Sequence, residues 1–154
     1  MKPNYIIIPL IVFIVASLGS FLTGAGMDWD KIIKVPGWTP AGWLIGLVWT
    51  IIFILSAFSA LIFWKKSKRN SRFWVIFFIF LINAGLNVFW SFLFFYQELI
   101  GPAFWEALLL DISVIALIVL IWPISKLASF LLVPYALWTA FASFLTFIIW
   151  TLNL

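Results

Sequence analysis

The chain has 154 residues, 66% of them hydrophobic and only 9% charged, a composition that excludes a water-soluble domain of this size. Cysteine and histidine are absent, which rules out disulfides, thiolate or imidazole metal sites and His- or Cys-ligated haem; no metal site is expected, and any general base must be a carboxylate, Lys or Tyr. The formal net charge is +4, and its placement marks topology rather than an affinity for nucleic acid.

Five apolar runs fill nearly the whole chain, at about 5–26, 41–64, 73–95, 102–122 and 128–149. Each is about 20 residues or longer, enough to cross a hydrocarbon core about 30 Å thick. The expected fold is all-α: an integral membrane bundle of five transmembrane helices forming a single domain over 1–154. Lys65, Lys66, Lys68, Arg69 and Arg72 lie between the second and third runs, and Lys2 and Lys126 fall on the same face if the spans alternate. The opposite face mixes Lys31 and Lys34 with Asp28, Asp30 and Glu98. The positive-inside rule then puts the N-terminus in the cytoplasm and the C-terminus outside a multi-pass cell membrane protein.

The first run ends in Thr23-Gly24-Ala25-Gly26, which a secretory cleavage site also resembles. Close helix packing along Ala16, Ser20 and Gly24 is the preferred reading. From Met27 to Pro40 the connection is long for a helical hairpin and carries Trp29 and Trp38. It reads either as an amphipathic segment at the headgroups or as a stiff lid, since Pro36, Gly37 and Pro40 restrict its shape. Thr39 is the expected cap of the second span, with Pro40 in its first turn.

Trp64, Trp74, Trp105, Trp122 and Trp150 stand at span ends and read as interfacial belt residues. Trp49, Trp90 and Trp138 lie inside spans and are more informative. On the third span Asn83, Asn87, Trp90 and Phe94 share one face; the two amides need interhelical bonds or a wet cavity. The fourth span carries Asp111 near its middle, paired with a carbonyl or a third-span asparagine or else functional, and Glu106, shallow enough to reach water. In the fifth, Pro134 is expected to kink the helix, and Trp138, Ala142 and Leu145 follow on one face. By depth, Trp49, Asn87, Trp90, Ala142 and Leu145 fall in the outer half, with Trp138 just below, as the walls of an aromatic cavity beneath the Pro36–Pro40 loop.

Trp38-Thr39-Pro40 with Trp43 and Val48-Trp49, then Asn87-Val88-Phe89-Trp90, Asp111-Ile112 and Pro134-Tyr135-Ala136-Leu137-Trp138 stand in order on five spans. In these motifs the chain resembles the tryptophan-rich sensory protein/translocator protein (peripheral benzodiazepine receptor) family over essentially its whole length. The resemblance implies a five-helix bundle, commonly a homodimer, that binds porphyrins such as protoporphyrin IX and drug-like isoquinoline carboxamides and benzodiazepines. It also implies possible sterol binding and, in some bacterial members, light-dependent porphyrin degradation. Trp49, Asn87, Trp90, Trp138 and Ala142 match cavity-lining positions of that family. The expected ligand-binding set is Trp38, Trp49, Phe53, Asn87, Trp90, Trp138, Ala142 and Leu145, with Trp49 and Trp138 as oxidisable donors if the porphyrin is a substrate. No cofactor is required; protoporphyrin IX is ligand or substrate. Phe147 to Leu154 lack the Tyr and Lys/Arg of the family's sterol motif, and Ala41 replaces a proline common in relatives. Transport of a lipophilic ligand is the alternative, with Asp111 as a coupling site, although no inverted repeat is visible.

Overall fold

The computed structural model describes residues 3–154, which contain helices and no strands. In chain order these are α1 (Asn4–Ala25), α2 (Met27–Asp30), α3 (Gly42–Lys66), α4 (Ser71–Ser91) extended by a π-helical turn (Phe92–Tyr96), α5 (Ile100–Ile121), α6 (Lys126–Phe130) and α7 (Val133–Leu152). Five units are long and apolar enough to span a membrane: α1, α3, α4 with its π turn, α5, and α6 with α7. Their ends lie within a few residues of the apolar runs. Lys2 lies outside the described residues.

Helix α5 packs most extensively on α7 and α4, while α1 rests on α3, α4 and the π turn. Helix α3 meets α6 and touches α7 only sparsely. Around the bundle the order is therefore α1, α3, α7, α5, α4. Polar caps set two of the starts: Asn70 accepts from the Phe73 amide at 3.1 Å and Ser125 from the Ala128 amide at 3.4 Å.

Pro134 does not kink a continuous helix. The chain breaks at Leu131–Leu132, and Pro134 sits in the first turn of α7, where its missing N–H costs nothing. Thr39 does not cap α3 either. Its hydroxyl donates to the Pro36 carbonyl at 2.7 Å, closing a tight turn, and Ala41 stands at the cap position of α3. The small-residue stripe on α1 is displaced as well: a side chain at Gly24 would meet nothing, whereas one at Gly26 would overlap the Phe95 backbone. Gly26 is the point where α1 closes against the π turn.

The basic end is sealed by aromatic packing. Phe63 and Phe73 stack at 5.2 Å, Trp64 meets Phe73 edge-on at 5.2 Å, and the Arg69 guanidinium lies 4.0 Å from the Phe73 ring centre and 4.5 Å from that of Trp64. At the other end the 31–41 loop is clasped to the end of α7. The Lys34 amide donates to Asn153 Oδ1 (2.9 Å), and Asn153 Nδ2 donates to the Lys34 carbonyl (2.8 Å).

Candidate functional site in the bundle interior

Three helices are tied together by a chain of hydrogen bonds running in one direction. Asn87 Nδ2 on α4 donates to the Tyr135 hydroxyl on α7 (3.1 Å), which donates to Asn83 Oδ1 (3.1 Å). Asn83 Nδ2 donates to Ser113 Oγ on α5 (2.8 Å), and that hydroxyl donates to the Leu110 carbonyl (2.6 Å). All four side chains are buried. Both asparagines on the shared α4 face thus find the interhelical partners that hydrocarbon demands. Tyr135 and Ser113 complete the chain; the signal for them was a phenol and a hydroxyl within spans, each a donor that burial obliges to pair.

Beside this chain lies a cavity of about 110 Å³ between α1, α3 and α4. Its walls are mostly apolar: Ile8, Ile11, Val12 and Val15 of α1, Phe53, Ala60 and Phe63 of α3, and Phe77 and Phe80 of α4. Polar atoms reach it from Ser56, Asn83, Asn87 and Tyr135. The cavity runs toward the basic end, deeper than depth counting placed it. Trp64, expected as a belt residue, also lines it, with the Arg69 guanidinium 4.5 Å from its ring centre.

Of the expected ligand-binding residues, Phe53 and Asn87 line this cavity. Trp49 stacks on Phe53 (5.6 Å, 29°) and meets Tyr135 edge-on (6.0 Å, 76°), so it stands against the lining. Trp90 stacks on Phe94 (5.0 Å, 13°), and Trp138 lies against Phe141 (5.3 Å). Both indole Nε1 atoms are buried with no hydrogen-bond partner among the described residues. Trp38 lies over α7, parallel to Phe144 at 5.9 Å and tilted on Phe141 at 6.1 Å. Ala142 and Leu145 are half-buried on α7, outward of Trp138.

The two span carboxyls sit differently from what depth suggested. Asp111 pairs with neither a carbonyl nor an α4 asparagine; the Thr139 hydroxyl of α7 donates to its Oδ1 at 2.6 Å. Glu106 does not reach water. It is 4% exposed, and both carboxyl oxygens lack a partner among the described residues. It falls on the interior face of α5 with Ala103, Leu110 and Ser113, which α4 and α7 cover. Ser56 Oγ on α3 is likewise buried and unpartnered. Among the described residues no cluster of acidic side chains suited to a metal is present.

Five apolar helices around a mostly apolar interior, capped by a clasped aromatic loop, define a small multi-pass membrane protein. The chain belongs to the TspO/MBR family, whose model matches residues 7–151. It is 33% identical over 154 residues to the "Tryptophan-rich protein TspO" of Bacillus cereus, covering 99% of each chain. It is 37% identical over 147 residues to the "Uncharacterized membrane protein YtaB" of Bacillus subtilis, covering 94% of this chain and 93% of the relative. The human "Translocator protein" is 29% identical over 134 residues, covering 86% of this chain and 79% of the relative.

Proposed function

We propose that the protein is a membrane receptor for flat, largely apolar aromatic ligands, protoporphyrin IX and isoquinoline carboxamide- or benzodiazepine-type molecules among them. The ligand is held between α3, α4 and α7 under the 31–41 loop and reaches inward to the cavity beside Asn87 and Tyr135. The observation that carries this reading is the pair of buried, unpartnered indole N–H groups of Trp90 and Trp138. A buried donor is almost always satisfied, and an indole offers both a flat face and an N–H to a heteroaromatic guest. Trp49 against Phe53 and Tyr135, and Trp38 over Phe141 and Phe144, add stacking surface on the same side.

Size sets a condition. A cavity near 150 Å³ accepts about one benzene, so 110 Å³ is too small for a tetrapyrrole. Binding a porphyrin requires the bundle to widen, and the sparse α3–α7 contact is the seam where the long helices hold each other least. With the basic end in the cytoplasm, as the positive-inside rule orients it, the loop faces outward and Lys31 and Lys34 stand near the ligand's propionates. Under this reading the working unit is a homodimer in the cell membrane. Titrating protoporphyrin IX into the purified chain tests the proposal: a Soret shift with quenching of tryptophan emission at micromolar ligand is expected. Unchanged spectra overturn it.

A further inference from the structure

Glu106 is a buried carboxyl with no hydrogen-bond partner among the described residues. The register of the helices fixes what surrounds it. Asn83 meets Ser113, and seven residues make about two turns, so Trp90 and Glu106 stand level with each other two turns farther out on α4 and α5. On the other side, Phe104 meets Phe147 at 5.3 Å and Trp150 lies against Gly101, which puts Leu145 and Thr146 of α7 level with Glu106. The neighbouring protons are already committed. Tyr135 donates to Asn83, Ser143 Oγ to the Thr139 carbonyl (2.8 Å) and Thr146 Oγ1 to the Ala142 carbonyl (2.8 Å). Lys31 pairs with Asp28 at the surface, and no Lys or Arg lies within α5 or α7. The Trp90 N–H is itself unpartnered, so it does not satisfy the carboxyl.

We propose that Glu106 is the specificity-determining group of the interior site, selecting aromatic ligands that bury a protonated amine or ring N–H against its carboxylate while Trp90 contributes its ring and indole N–H. This rests on reading the interior as a ligand site. A carboxylate beside an aromatic face is the pairing that recognises nitrogenous cations, through a charge-assisted hydrogen bond and the ring quadrupole together. A carboxyl kept only for packing would be bonded to a neighbouring helix, as Asp111 is to Thr139.

Two fluorescent probes of one shape test this. 9-Aminoacridine is a flat cation with N–H donors at pH 7, whereas acridine is neutral there and has none. Each is titrated into the purified full-length chain in nanodiscs, with empty nanodiscs as blank. The wild type is expected to bind 9-aminoacridine at least about tenfold tighter than acridine, the weight of a hydrogen bond to a charged group. Glu106→Gln is expected to remove that preference with acridine unchanged, and the surface control Glu98→Gln to keep it. A wild type without the preference overturns the proposal, and so does a Glu106→Gln protein that retains it. Should the Gln variant not purify as a monodisperse species, the wild-type ratio and its Glu106→Leu counterpart decide on the same terms. Protoporphyrin IX is titrated in parallel. Porphyrin binding without a Glu106-dependent preference removes this inference alone, and the preference without porphyrin binding removes the porphyrin reading alone.

Discussion

Helices α1 and α5 are both 22 residues long and equally apolar in appearance, yet α5 buries nine residues and α1 buries none. Packed on two sides by α4 and α7, α5 holds the interior polar groups Glu106, Asp111 and Ser113. Helix α1 is a wall: it rests on α3, α4 and the π turn without burying a residue of its own, supplies four aliphatic side chains to the cavity, and its C-terminal neighbour Gly26 meets the Phe95 backbone. In a bilayer the difference is sharper than in water, because an apolar side chain gains little by leaving lipid and helices associate mainly through packing and hydrogen bonds. One helix frames the polar interior, and the other walls the cavity.

Substitutions can break this contrast, the largest effect coming where α1 does pack closely. Gly26→Ala would drive a methyl group into the Phe95 backbone, and backbone cannot step aside cheaply, so a loss of about 3 kcal/mol is expected in detergent thermal unfolding. Gly24→Ala, two residues earlier and facing open space, should be neutral or slightly stabilising. On the frame, Leu117→Ala removes a fully buried side chain. With the transfer term muted by lipid, the cavity term remains, about 2 kcal/mol; Phe13→Ala on α1, at 68% exposure, should cost less than 0.5 kcal/mol. Between these falls Tyr135→Phe, which leaves Asn83 Oδ1 and Asn87 Nδ2 without their shared partner and should cost about 1 kcal/mol by the same measurement.

Much of the frame was legible in the sequence, for reasons particular residues make clear. Twenty-residue apolar runs admit few structures in a membrane, so the spans followed from length, and the shared α4 face of Asn83 and Asn87 followed from helical periodicity. What sequence position could not give was register between helices. Glu106, six residues into its helix, read as shallow; only the packing of α4 and α7 over it makes it buried. Asp111 found Thr139, twenty-eight positions away, through the same missing information. Trp64 reads as a belt residue because it ends a span, and its place in the cavity wall comes from packing against α4, which its position in the chain does not give. The Pro134 break and the Thr39 turn are local, but each had two sterically sound outcomes, and the tertiary context chose between them.

The central claim is that interior tryptophans bind the ligand and belt tryptophans do not. Protoporphyrin IX affinity in Trp49→Phe, Trp138→Phe and Trp122→Phe proteins tests it directly, because Trp122 lies on the exposed basic end against Phe130 and Lys126. An aromatic contact contributes about 0.5–1.5 kcal/mol beyond area burial, so each interior change should weaken binding by about three- to tenfold. Trp122→Phe should leave it unchanged. Equal losses across all three variants, or none in any, would contradict the account.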